Sequence, residues 1–179
     1  MRMRPDQKQA ARAALVAAAA KRFRREGMTG IGIDGLAREA GQTSGAVYAH
    51  FGSKAELFAA VVEEGMHRLL ASAEAERAAG GDSISFAQRY LSMQHRDAVE
   101  QGCLLPALSA DIARADMATR QIYAQGMDQV AAMLAPPENR ESALAILALC
   151  AGGILLARAV ADPALAEAIL SACRCRATP

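Results

Sequence analysis

The chain has no tryptophan, only three tyrosines and four phenylalanines, and few β-branched residues. Sheets draw on aromatic and β-branched side chains, so their scarcity beside abundant Ala and Leu points to an all-α protein. Cysteine is sparse too. Cys103, Cys150, Cys173 and Cys175 include no C-x-x-C pair, which excludes the common zinc modules and gives no disulfide framework. The three histidines, His50, His67 and His95, stand at no metal-ligand spacing. The sequence offers neither a phosphate-binding Gly loop nor a recognisable Ser-His-Asp or Cys-His set. An enzyme is therefore not expected, nor a metal or cofactor. Long apolar runs are also missing: the longest uncharged stretch, Ala143 to Ala157, falls short of the roughly 20 residues that cross a bilayer. A buried helix is expected there, and no membrane partner.

What is present is a 179-residue chain, 53% hydrophobic, with enough apolar material for a core in one domain or two closely packed ones. Arg2, Arg4, Lys8 and Arg12 precede the apolar run Ala13 to Ala20, which has the outline of a signal peptide. A helical apolar stripe of Leu15, Ala19 and Phe23 runs on through the supposed cleavage site into Lys21 to Arg25, so a helix of a cytoplasmic protein is the expectation. Scattered cysteines without a disulfide framework fit that reduced compartment.

Charge is divided unevenly along the chain. Residues 1–54 hold ten Lys or Arg against four Asp or Glu, whereas residues 55–179 hold ten against fifteen. A basic head on an acidic body suits a polyanionic partner at one end only, because phosphate neutralisation needs clustered cations. The head also has a helical rhythm. One helix is predicted from about Gln7 to Arg25, stopped by Gly27; a short second one, Ile33 to Ala40, carries Ile33, Leu36, Ala37 and Ala40 on one face. Gly41 supplies a residue able to turn at positive φ, and Thr43 is placed to cap a third helix, Ser44 to about His50. Two short helices joined by a tight Gly turn form a helix-turn-helix. The small residues Ser44, Gly45 and Ala46 let the start of the third helix approach a groove closely.

The run from Gly41 to Phe58 contains Tyr48, His50, Phe51, Lys54 and Leu57 in the pattern Tyr-x-His-Phe-x-x-Lys-x-x-Leu, preceded by Ile33-Asp34-Gly35-Leu36-Ala37-Arg38-Glu39-Ala40-Gly41. With the basic first helix, this resembles the TetR family of bacterial transcriptional regulators over about residues 8–70. The resemblance implies that Tyr48, His50 and Lys54 contact DNA phosphates, that Thr43 joins them, and that Gln42, Ser44 and Ala46 face bases, with Gly45 between them. One departure stands out: Gly32 lies where the family has a Ser or Thr touching phosphate. Gly32 tolerates the cap geometry and leaves backbone N–H groups for a phosphate, while Thr29 stands nearby without an assignable role. Phe51 and Val47 are expected in the core.

Beyond the head, Leu57, Val61, Met66, Leu69 and Leu70 continue a connecting helix from about Ser53 to Arg77. Breaks at Ala78 to Asp82, Gln101 to Pro106, Ala135 to Asn139 and Asp162 to Pro163 divide the rest, for about nine helices in all. The resemblance implies a helix-turn-helix DNA-binding domain at 1–54 and a helical ligand-binding and dimerisation domain at 55–179. Its candidate pocket residues are Met66, Leu70, Tyr90, Met93, Cys103, Tyr123 and Met127. The last two helices are apolar nearly all round, and an intermolecular four-helix bundle through Leu149, Gly152, Gly153, Leu156, Leu165 and Ile169 would bury them. The resulting expectation is a homodimeric repressor that binds a palindromic operator in double-stranded DNA and is released by a small-molecule inducer. The alternative is a thiol-based sensor of electrophiles or oxidants acting through Cys103.

Overall fold

The computed structural model describes residues 4–177; Arg2 and the outermost residues of both expected domains lie outside them. Ten α-helices follow in order: α1 (Pro5–Glu26), α2 (Ile33–Glu39), α3 (Ser44–Phe51), α4 (Lys54–Ala78), α5 (Ser83–Tyr90), α6 (Met93–Asp97), α7 (Leu104–Ala113), α8 (Met117–Leu134), α9 (Arg140–Ala159) and α10 (Pro163–Arg176). A 3-10 turn, Pro137–Asn139, precedes α9, and the described residues contain no β-strand.

The helices exceed the expected number because two breaks carry neither Gly nor Pro. Between α5 and α6 the chain turns at Leu91, and the Ser92 hydroxyl accepts the His95 N–H at 3.3 Å. Between α7 and α8 the Asp116 carboxylate accepts the Thr119 N–H at 2.7 Å. Both are N-caps, which satisfy an orphan donor without needing a special backbone residue. Carbonyls at the α5–α6 break and at the end of α6 are met from afar. Arg158 of α9 donates to the His95 and Arg96 carbonyls, each at 2.9 Å, and Arg174 of α10 donates to the Leu91 carbonyl.

In the head, Gly41 at φ +64° makes the turn between α2 and α3, where a Cβ would strain the backbone. Thr43 caps α3 by accepting the Ala46 N–H at 3.2 Å. Leu36, Val47 and Phe51 are buried, α3 packing on α2 and α4, and the Arg12 guanidinium of α1 lies 4.9 Å from the Phe51 ring centroid. Ser53 caps α4 through the Glu56 N–H at 3.1 Å. Within two turns α4 has entered the core: Phe58 meets Phe23 of α1 edge-on at 5.5 Å between ring centroids. The expected division at 54/55 thus coincides with the first residue of a helix whose opening turns pack with the head.

Farther along, α4 packs most extensively against α8, and one continuous buried core runs from Leu15 to Ala177. Arg140–Ala159 is, by length and composition, long enough to cross a membrane, since the helix extends past the uncharged stretch at both ends. Length alone therefore excludes nothing. What marks α9 as a packed helix is that Ala143, Leu147, Cys150, Ile154 and Ala157 are buried against α5, α6, α7, α8 and α10.

The α4–α8 crossing depends on a missing side chain. A Cβ on Gly126 would lie 2.7 Å from Met66 Cβ. Gly126→Val is expected to lower the free energy of unfolding by about 1–3 kcal/mol, the usual cost of overpacking. Adding Met66→Ala should recover part of that loss in a double-mutant cycle followed by urea denaturation.

Candidate DNA interface and body cavity

The outer side of α3 is open. Tyr48 is 54% exposed, Thr43 and Gly45 are exposed, and Gln42, Ser44, Ala46, His50 and Lys54 are half-buried. A Cβ on Gly45 would meet only the Thr43 hydroxyl, 3.8 Å away, so nothing among the described residues covers this spot. The eight residues lie in the turn before α3, on its exposed positions and at the start of α4, where Lys54 stands at the positive end of the helix dipole. Ser44 is held in place: its hydroxyl donates to the Asp34 carboxylate, tying the third helix to the first turn of the second. Gly32 caps α2 in extended geometry without a side-chain hydrogen bond, in open space, and Thr29 is exposed in the same connection.

The body holds a cavity of about 380 Å³ between α1, α4, α5, α6 and the start of α7. One wall comes from α4, where Gly65, Arg68, Leu69 and Ser72 recur at helical spacing; Phe86, Arg89 and Tyr90 of α5 supply another. His95, Gln101, Cys103 and Leu104 close it, and Arg24 reaches in from α1. Of the expected pocket residues, Tyr90 and Cys103 line it. The other five do not. Met66 is buried against Gly126, Tyr123 exchanges a hydrogen bond with Ser109 at 2.9 Å, and Leu70, Met93 and Met127 pack on the core elsewhere. On α4 the cavity face is one residue away, at Leu69 and Arg68, because α8 claims the side bearing Met66.

Arg24 was legible as charge and not as position. It follows Val16 and Ala20 at four-residue steps, and that stripe faces inward. His95 is fixed from both sides: Nδ1–H donates to the Tyr90 carbonyl at 2.9 Å, while Nε2 accepts the Cys103 N–H at 3.2 Å. Burial, helped by the charge of Arg158, holds the imidazole below its ordinary value of 6.5. Cys103 caps α7, its sulfur accepting the Leu105 N–H at 3.4 Å, yet burial pushes its thiol up. Burial likewise raises Cys150, to about 12.

At the far side of the body, the expected interface residues divide. Leu156 and Leu165 are 58% and 50% exposed, Leu149, Gly152 and Ile169 are half-buried, and Leu155, which the sequence reading passed over, is exposed beside them. Gly153 is a correction. It is buried inside the chain, where a Cβ would lie 2.8 Å from Leu91 Cδ2 and 3.0 Å from Cys173 Sγ, so it faces its own body and offers nothing to a partner.

A basic helix-turn-helix head on a helical body with an internal cavity defines a DNA-binding transcription regulator. Residues 15–61 match the family model described as bacterial regulatory proteins, tetR family. Solved structures extend the likeness of fold to the whole chain. The reduced form of NemR from E. coli is 21% identical with a TM-score of 0.76, over 94% of this chain and 95% of that one. A TetR-family regulator from Agrobacterium tumefaciens is 19% identical with a TM-score of 0.76, over 96% and 100%. One from Cytophaga hutchinsonii is 18% identical with a TM-score of 0.73, over 97% and 95%. No curated protein matches the sequence.

The tautomer of His95 makes a pH test. Since its folded pKa is depressed, the unfolded chain takes the proton first; stability is full above about pH 6.5 and falls as pH drops toward the folded value. Thermal unfolding midpoints are expected to decline below about pH 6.5 in the wild type and to decline less in His95→Gln. Equal slopes in the two proteins would remove His95 from the acid limb.

Proposed function

We propose that this chain is a homodimeric repressor, acting in the cytoplasm without catalytic activity, that binds a palindromic operator and is released when a small molecule enters the body cavity. The observation that carries this reading is the uncovered outer face of α3 beside Lys54, on a domain of the TetR family. Residues 1–54 take the DNA role and residues 55–179 the ligand and dimer roles. In this assignment Tyr48, His50, Lys54 and Thr43 meet phosphates, and Gln42, Ser44, Gly45 and Ala46 lie along the base edges. Tyr, His and Lys donate to phosphate oxygens, which fixes register, whereas Ala46 offers a methyl contact. Backbone N–H groups after Gly32 stand in for the missing hydroxyl.

Leu149, Gly152, Leu155 and Leu156 of α9 recur on one face, and Leu165 and Ile169 of α10 extend it. A second copy of that face would cover it, with Gly152 giving room for close approach. The two copies of α3 must then enter major grooves about 34 Å apart or a multiple of it. α4 connects the cavity to the DNA: Gly65, Arg68, Leu69 and Ser72 line the first, while Lys54 begins the same helix. Ligand that displaces α4 changes the spacing of the recognition helices and releases operator. Reciprocity requires operator to weaken inducer binding by the factor with which inducer weakens operator binding.

A second reading, a thiol switch at Cys103, draws on two observations: this sulfur lines the cavity, and the NemR neighbour is described in a reduced form. The raised thiol pKa works against it. Operator release reversed by dithiothreitol and abolished by Cys103→Ser would replace the reversible-ligand reading.

Selection from random duplex DNA should return a palindrome, and failure to enrich any sequence would refute the regulator. On that operator, Lys54→Ala is expected to weaken all sequences alike and lower the salt slope by about one, whereas Gln42→Ala should change which sequence is preferred. Sedimentation should give a dimer at micromolar concentration and a folded monomer for the double variant Leu156→Arg, Leu165→Arg. A folded wild-type monomer would overturn the interface.

A further inference from the structure

The body cavity carries positive charge that no carboxylate on its lining neutralises. Arg24 is 6% exposed, its Nε is buried without a hydrogen-bond partner, and it forms no ion pair among the described residues. Burial, with the neighbouring charge of Arg68, holds its pKa below the usual guanidinium range. Glu64 attracts Arg24 only from beyond ion-pairing distance. Arg68 itself reaches just the Gln101 carbonyl, at 3.4 Å. The third arginine on the wall differs, since Arg89 is paired with Glu76 at 2.7 Å. No Asp or Glu lines the cavity, and His95 is neutral there.

A buried guanidinium, Arg24, beside the like charge of the more exposed Arg68, with no carboxylate on the cavity lining, is costly to keep. Their energy falls if an anion joins them, and a small oxyanion suits the guanidinium fork. A further donor waits beside them. Tyr90, 8% exposed, stands on the same wall, and its buried hydroxyl faces the Cys103 thiol. The remaining wall of Leu69, Phe86 and Leu104 is apolar. A second, larger hollow between α1 and α4 shares Arg24 and Arg68, but Glu63, Glu64 and Glu100 line it and repel an anion.

We infer that the cavity takes an organic anion, a carboxylate seated between Arg24 and Arg68 on an apolar body that lies against Leu69, Phe86 and Leu104. The inference rests on the cavity being the ligand site proposed above, and it adds the chemical class of the ligand. It also makes Arg24 a bridge, because a carboxylate held there joins α1 of the DNA-binding head to α4.

The test is calorimetric titration of the full-length, DNA-free protein with octanoate and, separately, with the uncharged octanamide. Octanoate is expected to bind at least about tenfold more tightly, the worth of one charge-assisted hydrogen bond. Arg68→Gln, at an exposed α4 position, should bring octanoate down to the octanamide level and leave octanamide unchanged. Arg24→Gln should do the same; if it fails to fold, Arg68→Gln decides alone. Absence of octanoate binding, equal affinity for the two compounds, or an unaltered octanoate affinity in Arg68→Gln each overturns the inference. Because DNA is absent, the outcome separates from that of the regulator itself. A protein that releases operator with an uncharged compound but ignores octanoate loses the anion site only. One that binds octanoate through Arg68 yet selects no operator keeps the site and loses the regulatory reading.

Discussion

The structure depends on α4 being buried along most of its length by two different sets of neighbours. Leu57, Phe58 and Val61 complete the core of the head with Phe23, while Met66, Leu69 and Ala73 belong to the core of the body. Helices of 25 residues gain little from propensity alone and take their stability from tertiary packing. Here that packing is continuous across both halves, so the head cannot change its angle without disturbing the body. The same helix presents Lys54 at one end and lines the cavity with its middle turns.

Other links reinforce this one. Glu100, in the loop before α7, pairs with Arg25 at 3.2 Å and Lys21 at 3.5 Å, both on α1. Such half-exposed pairs contribute modestly to stability, but they fix where the loop that carries Gln101 and Cys103 sits relative to the head. Cavity, loop and α1 therefore form a single mechanical unit. Arg24 lies at its centre, with no ion pair among the described residues.

The distribution of apolar residues on α9 explains an otherwise awkward composition. Its inward face is used up by the body, with Gly153 allowing close contact with Leu91 and Cys173, and its outward face keeps Leu155 and Leu156 exposed. A helix apolar on two opposite sides has two neighbours to satisfy. Within one chain only the first is found among the described residues.

By itself the sequence determined the all-α class, the helix-turn-helix and its boundaries to within a few residues, since these rest on local signals: helical periodicity, Thr43 as a cap, and Gly41 at a turn. It also determined the exposed face of α3, because Val47 and Phe51 fix which side is buried. Tertiary structure alone decided which face of α4 looks into the cavity. Periodicity marks Met66, Leu69 and Leu70 as equally apolar, and only the approach of α8 at Gly126 removes Met66 from the pocket. It decided likewise that Gly153 faces inward while Gly152 faces out, a difference of one residue and about 100° of helical rotation. Arg24 is the clearest case, for a basic residue in a basic helix reads as part of a DNA-facing surface until the fold turns its stripe toward the body.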